Sequence, residues 1–155
     1  MGAVATVRWQ DLLRRWAQDY AVARTNRAVM YLEPRGPEML LARLRDYSGK
    51  WALTGSVAVP PAASTAAPRT VSLYVDAIER AAGELGLRTV DAGANVLLLE
   101  PFDLVVWERM RREAWLNCVA VSQCVVDLLT GIGREPTEGE ALLSWMDGNE
   151  SEWRA

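Results

Sequence analysis

The chain contains no histidine. That removes Ser-His-Asp and Cys-His catalysis from within it, together with the usual histidine-bearing zinc centres. Any bond-making would rest on carboxylates, on arginine, or on a metal held by oxygens. Cysteine is scarce as well. Cys118 and Cys124 lie outside any Cys-x-x-Cys pair, and their spacing turns them to different faces of a helix. They read as buried thiols of a reduced compartment, not as metal ligands. Lysine is nearly missing, since sixteen of the seventeen basic residues are arginine. No apolar run approaches the roughly 20 residues of a membrane span, and residues 1–6 are too short and too weakly apolar for a signal peptide. The expectation is a cytoplasmic protein with no membrane contact, no metal and no cofactor.

What is present is ordinary globular material. Of 155 residues, half are apolar and 24% charged, enough to bury the core of one domain. The charge is uneven. Residues 1–50 hold nine basic and five acidic side chains, whereas residues 101–155 hold five basic and ten acidic. Such a basic front and acidic back is compatible with nucleic acid on one side, or simply with two solvated faces.

The stretch 50–59 organises the rest. A short strand, 51–53, turns at Thr54-Gly55-Ser56, a corner where α/β proteins tend to place ligands. Before it, 9–22 reads as an amphipathic helix with Trp9, Leu12, Leu13, Trp16 and Tyr20 on one face. A strand at 28–32 ends at Pro34-Arg35-Gly36-Pro37, and Pro37 opens a helix closed by Ser48-Gly49. The proline-rich stretch 60–68 allows a short helix at most. A strand at 70–75 leads to Asp76, the expected cap of a helix 77–85 with Gly86 just past its end. A short strand is possible at 87–90, a buried one at 95–100, and further sheet members at 104–107 and 116–119. Ser122 is the expected cap of a helix 123–129, and Pro136 begins a last helix, 137–146. The acidic tail packs back through Trp153 or frays. Strands and helices intermix without strict alternation. The fold class is therefore α/β or α+β: one domain with a mixed sheet of about five strands flanked by helices.

Several signatures occur in order: Tyr31-Leu-Glu-Pro-Arg-Gly36, Leu53-Thr-Gly-Ser56, Tyr74-Val-Asp76, Gly93-Ala-Asn-Val96, Ser122-Gln123 before Asp127-Leu-Leu129, and Gly133-Arg134 ahead of Glu140 and Trp145-Met146. The set resembles the carboxy-terminal domain of AbiEi-type antitoxins, the transcriptional regulators of type IV toxin–antitoxin, or abortive-infection, systems. The resemblance spans roughly residues 9–154 and implies a regulatory domain at 9–150 with an acidic tail at 151–155. It further implies transcriptional autoregulation and a nucleotidyltransferase-like toxin countered without stable contact. In that family a winged-helix DNA-binding domain comes first, and the eight residues before Trp9 are too few to form one. The remaining DNA role expected of this chain is backbone contact from Arg14, Arg15, Arg24, Arg27, Arg35, Arg43 and Arg45, which positions a protein without reading sequence.

The alternative is a nucleotidyltransferase-like nucleotide-binding domain, catalytically degenerate. Its site would be Gly55 and Ser56 for the phosphates and Asp76 as a metal carboxylate. Tyr74 stands where an Asp-x-Asp pair would need its first acid. Asp76 and Gly55 also have plain readings, as a helix cap and a turn. Among structural polar residues, Asn95 is expected to brace a turn. Asp127, in an apolar helix beside Gln123, would be costly buried alone. Its expected partner is Arg134 or Arg109, as a structural ion pair.

Overall fold

In the computed structural model, which describes residues 8–65 and 67–154, two central strands are buried along their whole length. They are Trp51–Thr54 and Val71–Val75, and strands covered on both faces lose the polar alternation of a half-exposed sheet. Among the described residues the sheet has six strands: β1 Arg27–Tyr31, β2 Trp51–Thr54, β3 Val71–Val75, β4 Val96–Glu100, β5 Arg111–Glu113 and β6 Leu116–Cys118. They lie in the order β1-β4-β3-β2-β6-β5. The β3–β4 and β2–β6 pairs are parallel and the rest antiparallel. The fold is thus α+β with a mixed sheet, one strand richer than expected.

The helices are α1 Trp9–Asp19, α2 Val22–Thr25, α3 Pro37–Arg43, α4 Ile78–Leu85, α5 Val121–Leu129, α6 Glu135–Gly148 and α7 Glu150–Trp153. Pleating sends alternate side chains to opposite faces. Thr54 and Tyr74 therefore reach Asp127 of α5, while Arg27 and Glu100 reach α4 on the other side. Fully buried Tyr74, Leu73, Leu98, Leu99, Ile78, Leu128, Leu142 and Met146 fill the space between, each worth about 1.5–3 kcal/mol of transfer from water.

Several elements differ from the sequence reading. Leu104–Trp107 is a 3-10 turn, not a strand. The Asp103 carboxylate accepts from the Val105 N–H at 2.9 Å and curls the chain there, leaving Leu104 76% exposed. Residues 87–90 contribute only the bridge Leu32–Arg88. Neither expected acid or hydroxyl cap sits at its N-cap position: α4 starts after Ala77 and α5 after Ala120. Asp76 instead accepts from the Ala77 N–H and from the Tyr47 hydroxyl, and the Ile78 N–H at the start of α4 donates to Glu100 of β4 at 3.0 Å. Gly86 does end α4, at φ +67°. On α1, Trp9 and Leu13 are buried but Leu12 faces water.

The uneven charge is partly consumed within the molecule. Arg14 of α1 forks onto Glu140 of α6 with two 2.8 Å bonds. Gln10 donates to Asp147 and the Trp9 indole to Glu150. Trp153 packs edge-on against Trp9, ring centres 4.8 Å apart, and donates to the Met146 carbonyl. The acidic end thus folds back on the basic beginning.

Candidate functional site

Asp127 is the polar centre of the interior. It is 1% exposed and held entirely by neutral donors. Oδ1 accepts from the Tyr20 hydroxyl at 2.6 Å and the Gln123 amide at 3.0 Å. Oδ2 accepts from Thr54 at 2.6 Å and Tyr74 at 2.8 Å. Asn26 extends the network by donating to both tyrosine oxygens. The ion pair expected with Arg134 or Arg109 is not there. Arg134 instead bonds the Ala67 carbonyl and approaches Glu138 at 3.5 Å, because the chain between Leu129 and Glu135 carries it out to the surface. Burial without a cation pushes the Asp127 carboxyl up to about 6, against the opposing pull of its four hydrogen bonds.

A cleft opens beside this network, on the sheet face that α5 and α6 leave uncovered. It has two adjoining lobes of about 240 and 300 Å³ that share Met30, Ser72, Leu97, Ile132 and Glu135. Its sheet-side lining of Ala28, Met30 and Leu97 is apolar; Gly55, Ser56, Arg69, Arg134 and Glu138 line other walls. The Thr54-Gly55-Ser56 corner therefore does border a cavity, with Gly55 at φ +70°, a conformation that favours glycine. Its charge is mixed, with Arg69 and Arg134 beside Glu135 and Glu138. Ser56 donates its hydroxyl to Glu138, and burial together with Glu138 and Asp127 pushes Glu135 up to about 7. A triphosphate placed on this corner would meet carboxylates.

Nor does the fold bring Ser56 and Asp76 together. In the β2–β3 pair Thr54 lies opposite Ser72 and Trp51 opposite Val75. Ser56 follows one end of that ladder and Asp76 the other, separated by roughly 10 Å of strand or more. Asp76 is occupied by Tyr47 and Arg80. Among the described residues, no three Cys, Asp or Glu side chains gather as a metal site.

The seven arginines do not form one surface. Arg14 and Arg15 ride on α1, with Arg14 committed to Glu140 and Arg15 near Asp19 at 3.6 Å. On the opposite side Arg27 pairs with Glu79 and Glu100, and Arg43 donates to the Leu85 carbonyl at the end of α4. Arg45 lies 4.4 Å over the Trp115 ring. Arg35 bonds buried Glu33 at 3.2 Å. Arg24, exposed on α2, has no ion-pair partner among the described residues. Asn95 grips Glu33 from both sides, accepting from its N–H and donating to its carbonyl. The sequence reading did not single out Tyr20, Thr54, Glu135 or Glu138 as site residues; the only local hint was the four-residue step from Gln123 to Asp127.

A mixed sheet walled by helices around a core carboxylate held by neutral donors defines an α+β domain. The family described as "Transcriptional regulator, AbiEi antitoxin, Type IV TA system" matches residues 6–136. The chain belongs to this family of toxin–antitoxin regulators. No curated protein and no solved structure matches it. None of the described helices is long and apolar enough to cross a membrane.

Proposed function

We propose that this chain is the regulatory and interaction part of an antitoxin-type transcriptional regulator, contributing to autoregulation of its operon and to neutralising a nucleotidyltransferase-like toxin. The supporting observation is the family match across residues 6–136. The unit that acts is residues 9–150, with 151–155 as an acidic tail, in the cytoplasm and without a cofactor. It meets DNA at the phosphate backbone. Of the candidate arginines, Arg15 and Arg24 are best suited, because Arg15 is 73% exposed and engages only its own helix, through Gln18 at 3.0 Å and Asp19 at 3.6 Å, and Arg24 is exposed and without an ion-pair partner among the described residues. Arg14, Arg27 and Arg43 already serve the fold.

Two measurements test this. Co-expression with the toxin of its own operon should restore growth, and the protein should retard its promoter fragment in a gel shift. Converting Arg15 and Arg24 to glutamine should flatten the dependence of log affinity on log salt by about 1.8, or about 0.9 for each phosphate no longer neutralised. Failure to rescue growth together with no promoter retention would refute the reading. An unchanged salt slope would refute the assignment of these two arginines.

A further inference from the structure

The cleft between β1, β4 and the start of α6 takes no part in the DNA binding just described, yet its construction is specific. Its two lobes adjoin over a floor of Met30, Ser72 and Leu97, and the larger is at the lower end of the size of small-ligand pockets, about 300 Å³. Glu135 lines both lobes. Its neighbour Glu138 is engaged by Ser56 and Arg134, whereas among the described residues no side chain bonds the Glu135 carboxylate, which is met only by the Ile132 backbone. Gly131 gives it room: a Cβ there would fall 2.7 Å from Glu135 Oε2, whereas one on Gly55 would sit at an ordinary 3.5 Å from it. A mostly apolar floor beside a carboxylate that no other side chain engages selects an apolar body bearing one positive charge.

We propose that this cleft is a binding site for a small amphipathic cation, an amine or amidine on an apolar body, which seats its charge on Glu135 and its body on Ala28, Met30 and Leu97. The charges that act on Glu135 are Glu138 on its own helix and Asp127 on α5; Arg134 and Arg69 line the smaller lobe. Both carboxylates favour a cation, and the arginines lining the smaller lobe direct it to the larger lobe beside Glu135. Because burial already holds part of the Glu135 population protonated near neutrality, binding tightens as pH rises and the carboxylate ionises.

Calorimetry and amide chemical-shift mapping on the intact chain test this with benzamidine and phenethylamine, against benzoate and phenylacetate as anionic counterparts. The expected result is saturable binding of an amine or amidine, with shifts at Met30, Leu97 and Ile132 and affinity about tenfold higher at pH 8 than at pH 6. The carboxylates should not bind. Glu135→Gln should weaken binding at pH 8 at least tenfold and remove its pH dependence. Met30→Trp, which fills the floor from a partly exposed position, should abolish binding while leaving the melting temperature nearly unchanged; it decides the matter if Glu135→Gln fails to fold. No saturable binding of either cation at pH 8, equal binding of the anions, or binding indifferent to both substitutions would overturn the proposal.

Discussion

Replacing Asp127 separates two accounts of the molecule's interior. An ion pair with an arginine would make the charge indispensable, and Asp127→Asn would then cost about 3–5 kcal/mol by stranding a buried cation. The structure has no cation there. It has four neutral donors. Holding the carboxyl at about 6 against its ordinary 3.8 corresponds to about 3 kcal/mol of charge-burial cost near pH 7. Asparagine removes that cost. Its oxygen still accepts from one pair of donors, and its amide can donate to the other pair if that pair is Tyr74 and Thr54, whose hydroxyls can turn to accept. Asp127→Asn should therefore be at least as stable as the parent at pH 7, by up to about 3 kcal/mol.

Alanine behaves differently. It lifts the same charge cost but leaves all four donors without their acceptor. Tyr20 and Tyr74 can still pair with each other across 2.9 Å, while Thr54 is left unsatisfied and Gln123 keeps only a 3.4 Å contact with Tyr20, at about 1–3 kcal/mol each. Asp127→Ala should accordingly fall about 2–6 kcal/mol below Asp127→Asn, the sum of those two penalties. The parent's pH dependence has a definite sign. A carboxyl whose folded pKa is raised contributes stability that is fully present below its unfolded value, and that contribution disappears as pH rises through about 6. Glu135 adds in the same sense, up to about 7, discounted because it is partly solvated. Asp76, Glu79, Glu84 and Glu140 are all lowered, so their contribution is present above ordinary carboxylate values and lost in more acid solution. Stability should peak near pH 5. Urea melts with constant m at pH 5 and pH 7 measure all of this. Equal stability of the asparagine and alanine variants, or a parent no weaker at pH 7 than at pH 5, would refute the reasoning.

The sheet was legible where local pattern and final burial agree. Residues 70–75 and 95–100 are apolar and β-branched enough to be strands in almost any context, and Gly86 sits where a left-handed residue must close α4. Legibility failed where the deciding partner lies far along the chain. Leu104–Trp107 has a strand's composition, but Asp103 turns it and no neighbouring strand receives it. The helix start at Ile78 bonds Glu100, from a different strand, rather than the acid beside it. The same holds for the interior site. Asp127 as a costly buried acid could be read from its apolar helix, whereas Tyr20, Thr54 and Tyr74 converge on it only once three further segments of chain are folded. The cleft was legible only as a glycine corner; the carboxylates that give it a sign come from the start of α6, some eighty residues later.

Gly55→Ala tests the corner: a Cβ there has ordinary 3.5 Å neighbours, so the cost should be backbone strain alone, about 1–2 kcal/mol by denaturant melt. Trp153→Ala removes the ring from Trp9 and the bond to Met146 and should lower stability by about 1–3 kcal/mol; no change would mean that the carboxy-terminal turn does not dock in solution. Burial pushes the thiols of Cys118 and Cys124 up to about 11 and about 12, so mass spectrometry should find neither alkylated by iodoacetamide at pH 8 until the protein is unfolded. The last test bears on the nucleotide alternative. A ligand at a hundred times its dissociation constant stabilises the folded state by about 2.7 kcal/mol, which shifts the melting temperature of a chain this size by several degrees. With 10 mM ATP or CTP and magnesium, even a site of 0.1 mM affinity would therefore be conspicuous by that arithmetic. The expected shift is none, because Ser56 and Asp76 stand at opposite ends of the β2–β3 ladder and the Ser56 hydroxyl is already held by Glu138. A nucleotide-dependent rise of several degrees that disappears in both Ser56→Ala and Asp76→Asn would show that the two residues meet around a ligand, and would overturn the geometry argued above.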